Sequence, residues 1–239
     1  MPPVFIERLS HIMGEPKTGI YPGKRIVIVG KGKGQSKALV KYSPSARHVS
    51  KSTPYPDITE AVADTIDDLL GWNLVPPTIA RVPEPALSKR LRLTEGDAVT
   101  FQEWIPGATP LGAMNLKRKR TVLAKNADRL VKMMVFDYLI GNTDRHENNI
   151  LVDRRGLVWA IDHDPDYSFR TKDYLNRPGP RRLPEHILHD LQNLTEEDLR
   201  AALAPLGAVR TRAVIHRWKL LKRSRRLPEG LYTASDFVD

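Results

Sequence analysis

One stretch limits what this chain can fold into more than any other. Leu130, Val131, Met133, Met134, Val135, Phe136, Leu139 and Ile140 leave no polar side to the end of a helix expected over 121–140. A helix that is apolar all round is buried on all faces, so the rest of the domain must be built around it. The two methionines read as adaptable core filler. The helix should stop at Gly141-Asn142, since glycine takes the left-handed conformation that ends helices. A polar run, 143–149, follows. Two short apolar runs, 150–152 and 157–161, then flank Asp153-Arg154-Arg155-Gly156, the punctuation of a hairpin.

A hairpin returns on itself, so the residue before its first strand lies beside the residue after its second. Asn149 and Asp162 are therefore expected as neighbours, with Asp144 five residues upstream of Asn149. Two carboxylates and an amide oxygen form a hard-oxygen set suited to Mg²⁺, which binds through few protein ligands plus substrate phosphates. Phosphoryl transfer uses such parts: an Asp facing the acceptor hydroxyl, an Asn on the metal, and a second metal-binding Asp. Each residue taken singly is an ordinary cap or turn residue. The joint spacing is what points to chemistry.

Asp144-Arg145-His146-x-x-Asn149, preceded by Gly141-Asn142 and followed by Ile161-Asp162, resembles the catalytic core of the HipA-like kinases. It is similar also to the phosphatidylinositol 3-/4-kinases. The resemblance implies an α+β, two-lobed protein-kinase-like fold, with a β-rich N-lobe over 1–105 carrying an αC-type helix. A mainly helical C-lobe over 106–239 would hold the catalytic loop and metal site. It implies Asp144 as the catalytic Asp, Asn149 and Asp162 as Mg²⁺ ligands, and ATP as co-substrate. Arg145 would brace the loop and His146 orient a carboxylate. The pattern departs at Asp162-His163-Asp164, where a protein kinase carries Asp-Phe-Gly.

Further expectations follow in chain order. Strands are expected at 4–12, 25–29 and 37–42, a three-stranded meander. Two glycine-bearing stretches, 14–19 and 30–34, compete to cover phosphates, because glycine lets backbone N–H groups approach an anion. The resemblance favours the first, with Lys17, Thr18 and Gly19 as contacts. Neither stretch matches a phosphate-binding fingerprint. Ala38-Leu39-Val40-Lys41 resembles the strand bearing the nucleotide-phosphate lysine, which makes Lys41 that residue and Lys37, on the same face, its substitute.

A helix over 57–70 is expected, capped by Asp57, with Ile58, Val62, Ile66 and Leu69 as its apolar stripe. In the kinase reading it is αC, and Glu60 pairs with Lys41. A charged hairpin or insertion is expected over 84–96 and a strand from Val99. By resemblance the backbone of Glu103, Trp104 and Ile105 then contacts adenine. Thr195-Glu-Glu-Asp is a capping signature opening a helix. The last helix, 209–223, should bury Val214, Trp218 and Leu221 and turn Arg210, Arg217, Lys219, Lys222 and Arg223 largely to other faces. Such a helix could meet nucleic acid or an anionic surface.

Composition bounds the rest. The chain has 239 residues, a net charge of +10 and no cysteine. Disulfides and thiolate chemistry are thereby excluded, which fits a cytoplasmic setting. No apolar run approaches the ~20 residues a membrane-spanning helix needs. The leading expectation is an ATP- and Mg²⁺-dependent kinase acting on protein Ser/Thr, the chain itself included. The alternatives are a phosphatidylinositol-type lipid kinase, a metal-dependent phosphoesterase, and a non-catalytic basic pseudokinase or nucleic-acid adaptor. The phosphoesterase lacks the histidines it would need.

Overall fold

The computed structural model describes residues 9–14, 24–29, 36–41, 58–83, 85–91, 93, 99–163 and 178–228. Its architecture is α+β, as expected. Two units are formed: Met1–Ala61 with Pro76–Ile105, and Val62–Val75 with Pro106–Asp239.

The first unit is built on one antiparallel sheet. Its strands are β1 (Leu9–Gly14), β2 (Lys24–Val29), β3 (Ser36–Lys41), β4 (Thr78–Arg81) and β5 (Val99–Glu103), in the order β1-β2-β3-β5-β4. The meander is present, and residues 4–8 of the expected first strand lie outside the described residues. Ala38 and Val40 alternate onto one face and pack with Val99, Phe101 and Leu87. Leu87 belongs to α2 (Pro85–Leu91), where the sequence reading had a charged hairpin or insertion. A proline at the first helical position, followed by Ala-Leu-Ser-Lys-Arg-Leu, is a sound helix start with good helix formers behind it.

Helix α1 (Thr59–Leu70) starts in the first unit and continues into the second. Val62, Ala63, Ile66 and Leu70 are buried, whereas Leu69, expected in the apolar stripe, is 41% exposed. The buried positions recur at i, i+4 and i+8, and Leu69 falls about 100° off that line. The expected cap, Asp57, lies outside the described residues.

The second unit surrounds the apolar helix. The expected single helix is two: α3 (Leu116–Lys125) and α4 (Ala127–Ile140), divided at Asn126. The buried Asn126 amide donates to the carbonyls of Val122 and Gly156 (both 2.8 Å), and its oxygen accepts from the Val158 N–H (3.3 Å). Its side chain thus ties the helix break to the hairpin, which a continuous helix would leave unattached. In α4 all of Met133 and Val135 to Ile140 are buried, and Gly141 ends the helix at φ +77°.

Strands β6 (Thr109–Pro110), β7 (Ile150–Val152) and β8 (Val158–Ala160) form a small sheet in that order. Strand β9 (Pro178–Arg182) pairs with β10 (Arg226–Pro228). Helices α5 (Glu185–Asn193), α6 (Glu196–Leu203) and α7 (Ala208–Ser224) complete the unit. The Thr195 capping box at the start of α6 is formed.

Helix α7 buries Val214, Trp218 and Leu221 as expected. Arg217, expected on another face, is only 1% exposed. It lies three residues after Val214 and four before Leu221, on the same stripe. Its Nε donates to the Leu139 carbonyl near the end of α4 (3.0 Å). Burial pulls the Arg217 guanidinium down to about 10, partly opposed by Tyr138.

Candidate active site

The site starts from a charge inside an apolar helix. Asp137, in the last turn of α4, is fully buried. A buried carboxylate needs a partner, and Arg145 supplies it. Arg145 Nε donates to Asp137 Oδ2 (3.0 Å) and Nη2 to Oδ1 (2.8 Å), a two-pronged ion pair. Nη1 donates to the carbonyls of Asn149 (2.9 Å) and Ile161 (2.6 Å). Nη2 also meets His163 Nε2 at 3.0 Å, which must be the acceptor because guanidinium only donates. The five N–H donors of the arginine therefore have five acceptors, the condition under which a buried ion pair is tolerated.

These contacts hold the three residues singled out from sequence. Asp144 directly precedes Arg145, Asn149 accepts from it through its carbonyl, and Asp162 directly follows Ile161. The Ile161 N–H donates to the Asn149 carbonyl (3.1 Å), so the mouth of the hairpin closes on Ile161, one residue before the Asp162 expected beside Asn149. The Asn149 amide donates to the Asp144 carbonyl (3.3 Å). The Asp144 N–H donates to Asn142 Oδ1 (3.1 Å), and the Asn142 amide donates to Asp137 Oδ1 (2.8 Å). Asp144 is exposed, and Asp162 stands at φ +64°. That left-handed conformation is uncommon outside glycine, with Asp and Asn several-fold enriched among the exceptions.

His146 is exposed, and its Nδ1 accepts from the Asn148 N–H (3.3 Å). It caps the short turn at Glu147–Asn149. The histidine on the arginine is His163, whose ring meets Phe136 edge-on at 5.7 Å between centroids. Sequence reasoning passed over Asp137 and His163. The signal for Asp137 was present: a lone acid in an otherwise apolar helix end.

The hairpin is braced from two further sides. In its turn, Asp153 Oδ1 accepts from the N–H groups of Arg155 (2.8 Å) and Leu157 (2.9 Å). Burial alone would raise the Asp153 carboxyl, but these donors, with Trp159 and the Arg155 side chain, hold it below its ordinary range. Behind the hairpin lies the segment after α1. The Ala160 N–H donates to the Leu74 carbonyl (2.8 Å). Arg129 of α4 donates to the carbonyls of Asn73 (2.6 Å) and Val158 (2.9 Å) and stacks over Trp159. Asp67 Oδ2 accepts from the N–H groups of Leu74 (2.6 Å) and Val75 (2.8 Å). Burial pushes the Asp67 carboxyl up to about 7, with the two N–H donors pulling the other way.

In the first unit, Glu60 is buried, and its Oε2 accepts from Gln102 on β5 (3.3 Å). Lys41 is the last residue of β3, in register with Thr100. The Glu103 N–H donates to the Pro77 carbonyl (2.8 Å), Trp104 and Ile105 are half-buried, and all three follow or close β5. Lys17, Thr18, Gly19 and the stretch 30–34 lie outside the described residues, as does the side chain of Lys41.

Among the described residues no three His, Cys, Asp or Glu side chains form a metal-holding group. The donor chemistry of Asp144, Asn149 and Asp162 still suits Mg²⁺, which needs few protein oxygens beside phosphates and water.

The family model "Phosphatidylinositol 3- and 4-kinase" matches residues 38–203, more than half of the chain. That span contains Lys41, Glu60, Asp144, Asn149 and Asp162. A curated relative, Protein Rv2133c of Mycobacterium tuberculosis, is 35% identical over 133 residues, 46% of this chain. The match spans 47% of that relative, about half its length. Among solved structures, the Helicobacter pylori proinflammatory kinase CtkA aligns with 14% identity and a TM-score of 0.45, covering 91% of this chain and 93% of that one. The Golgi casein kinase aligns with 15% identity and a TM-score of 0.48, covering 94% and 77%. With its arginine-clamped hairpin inside the matched span, the chain belongs to the phosphatidylinositol 3- and 4-kinase family.

Proposed function

We propose that this protein is an ATP- and Mg²⁺-dependent phosphotransferase that moves the γ-phosphoryl group to a hydroxyl on a protein, Ser or Thr, itself included. The observation that carries this reading is the Arg145 clamp, which fixes the backbone on or beside Asp144, Asn149 and Asp162 through bonds of 2.6–3.1 Å. Positioning is most of what a phosphoryl-transfer enzyme must supply.

In this reading the exposed Asp144 carboxylate accepts the proton of the attacking hydroxyl. The new O–P bond forms as the bond from the γ-phosphorus to the bridging oxygen breaks, and ADP leaves. Asn149 and Asp162 hold Mg²⁺, which neutralises charge on the phosphates when bound. Lys41 contacts the phosphates and is oriented by Glu60, a buried carboxylate on the helix that follows β3. Lys17, Thr18 and Gly19 cover the phosphates, and the backbone over 103–105 meets adenine through groups other than the Glu103 N–H.

A phosphatidylinositol acceptor is the second reading, favoured by the description of the matching family. The HipA-like resemblance favours protein. Labelled ATP with Mg²⁺, offered with protein and with phosphatidylinositol vesicles to wild type, Asp144→Ala and Asp162→Ala, tests both. Transfer to protein that both variants abolish supports the first reading. Transfer only to lipid replaces it with the second, and label carried equally by a variant removes the assigned roles.

A further inference from the structure

Helix α3 meets the loop with its inner side and carries on its outer side cations that have no ion pair among the described residues. Lys119 of α3 pairs with Glu147 of the loop (2.6 Å), which holds the helix against it. A Cβ placed on Gly112, just ahead of α3, would lie 2.4 Å from Asn148 Oδ1, so this approach leaves no spare room. Lys117 and Arg120 sit one turn apart on the side of α3 opposite the buried Val122 and Leu123, and the exposed Arg118 lies about 100° round the helix from Lys117. At the far end, Lys125 Nζ donates to the Arg155 carbonyl (2.6 Å), which joins α3 to the hairpin turn and its exposed Arg154.

The neighbouring acids are already engaged: Glu147 by Lys119 and Asp153 by Arg155. Among the described residues Lys117, Arg118, Arg120 and Arg154 have no ion pair. Lys117 and Arg120, one turn apart on the outer side of α3, repel each other unless an anion meets them.

We propose that this face docks an acidic polypeptide segment of the phosphoryl acceptor, with Asp or Glu side chains near the target hydroxyl. The proposal rests on the kinase reading for its purpose and on charge complementarity for its partner. A membrane is the weaker fit. The apolar side of α3 faces the core, leaving Leu116, 46% exposed, as the large apolar side chain available to lipid. Nucleic acid is weaker too, because α3 has no aromatic side chain on which bases could stack. The helix spans about 15 Å, the reach of roughly five extended residues, so the acids should fall within about that distance of the acceptor.

The test uses the full chain and two fluorescent peptides, a serine flanked by glutamates and its glutamine counterpart. Binding is read by anisotropy at low and high salt, so it does not depend on catalysis. Wild type should prefer the acidic peptide, and salt should erase the preference. Lys117→Glu with Arg120→Glu should weaken acidic-peptide binding roughly tenfold, as exposed attractions become repulsions. Arg154→Glu, on a different element, should weaken it by a smaller factor. Equal binding of both peptides by wild type, unchanged binding by both variants, or capture by phosphatidylserine vesicles without peptide preference overturns the proposal. Peptide turnover with ATP is scored separately. Salt-sensitive, variant-sensitive binding without any turnover would support docking while removing the kinase reading.

Discussion

Asp67 offers the sharpest quantitative test, because an isosteric change isolates its charge. Its Oδ2 takes two backbone N–H groups, while Oδ1 is buried without a partner among the described residues. Burial raises the carboxyl from 3.8 to about 7. At about 1.4 kcal/mol for each tenfold change in proton affinity, that is on the order of 4 kcal/mol of pH-linked stability. The folded state holds the proton more tightly than the unfolded state. The contribution is therefore complete below pH 3.8 and is lost as pH rises through about 7. In Asp67→Asn the amide oxygen can take both N–H groups and no charge forms. Urea denaturation of wild type and Asp67→Asn at several values between pH 5 and 8.5 reads the difference. The stability of wild type relative to the variant should fall by a few kcal/mol across this range. Parallel profiles would refute the buried, charge-averse carboxylate.

Other expectations concern the site and its frame. Arg145→Met leaves the buried Asp137 carboxylate without its arginine, so it should cost about 3–5 kcal/mol in urea denaturation and abolish transfer. Adding Asp137→Leu should recover part of that stability and none of the transfer. Asp162→Asn keeps a residue that tolerates φ +64°, so its melting temperature should match wild type, while the stabilisation that ATP–Mg²⁺ gives wild type should vanish. Thr195→Ala removes the reciprocal cap on α6 and should cost about 1 kcal/mol, seen as a melting shift of about 2–4 °C, with catalysis unchanged.

The central helix end, its glycine stop and the hairpin were legible because each rests on local chemistry. Apolar side chains all round, a left-handed stop and a charged turn need no distant partner to be recognised. Hairpin geometry alone brought the two ends of the hairpin together, although the backbone bond from Asn149 falls on Ile161, one residue before Asp162. The break at Asn126 was not legible, since its cause lies in carbonyl and N–H groups of the hairpin some thirty residues away. Arg217 was assigned by residue type when its spacing from Val214 and Leu221 already placed it on the buried stripe. His163 could not be distinguished from His146 by sequence, because only the fold shows which ring reaches Arg145. Leu69 failed through helical phase, with Leu70 taking the inward position.

The second unit is discontinuous in sequence, and this changes what can be cut from the chain. Val62–Val75 lies with Pro106–Asp239. A fragment starting at residue 106 would lose the carbonyl of Leu74 for Ala160, the carbonyls of Trp72 and Asn73 for Arg129, and the indole of Trp72 for Asp190. Severing the polypeptide at the apparent seam therefore strips the back of the hairpin, and the catalytic half should not be obtainable as an autonomous folding piece.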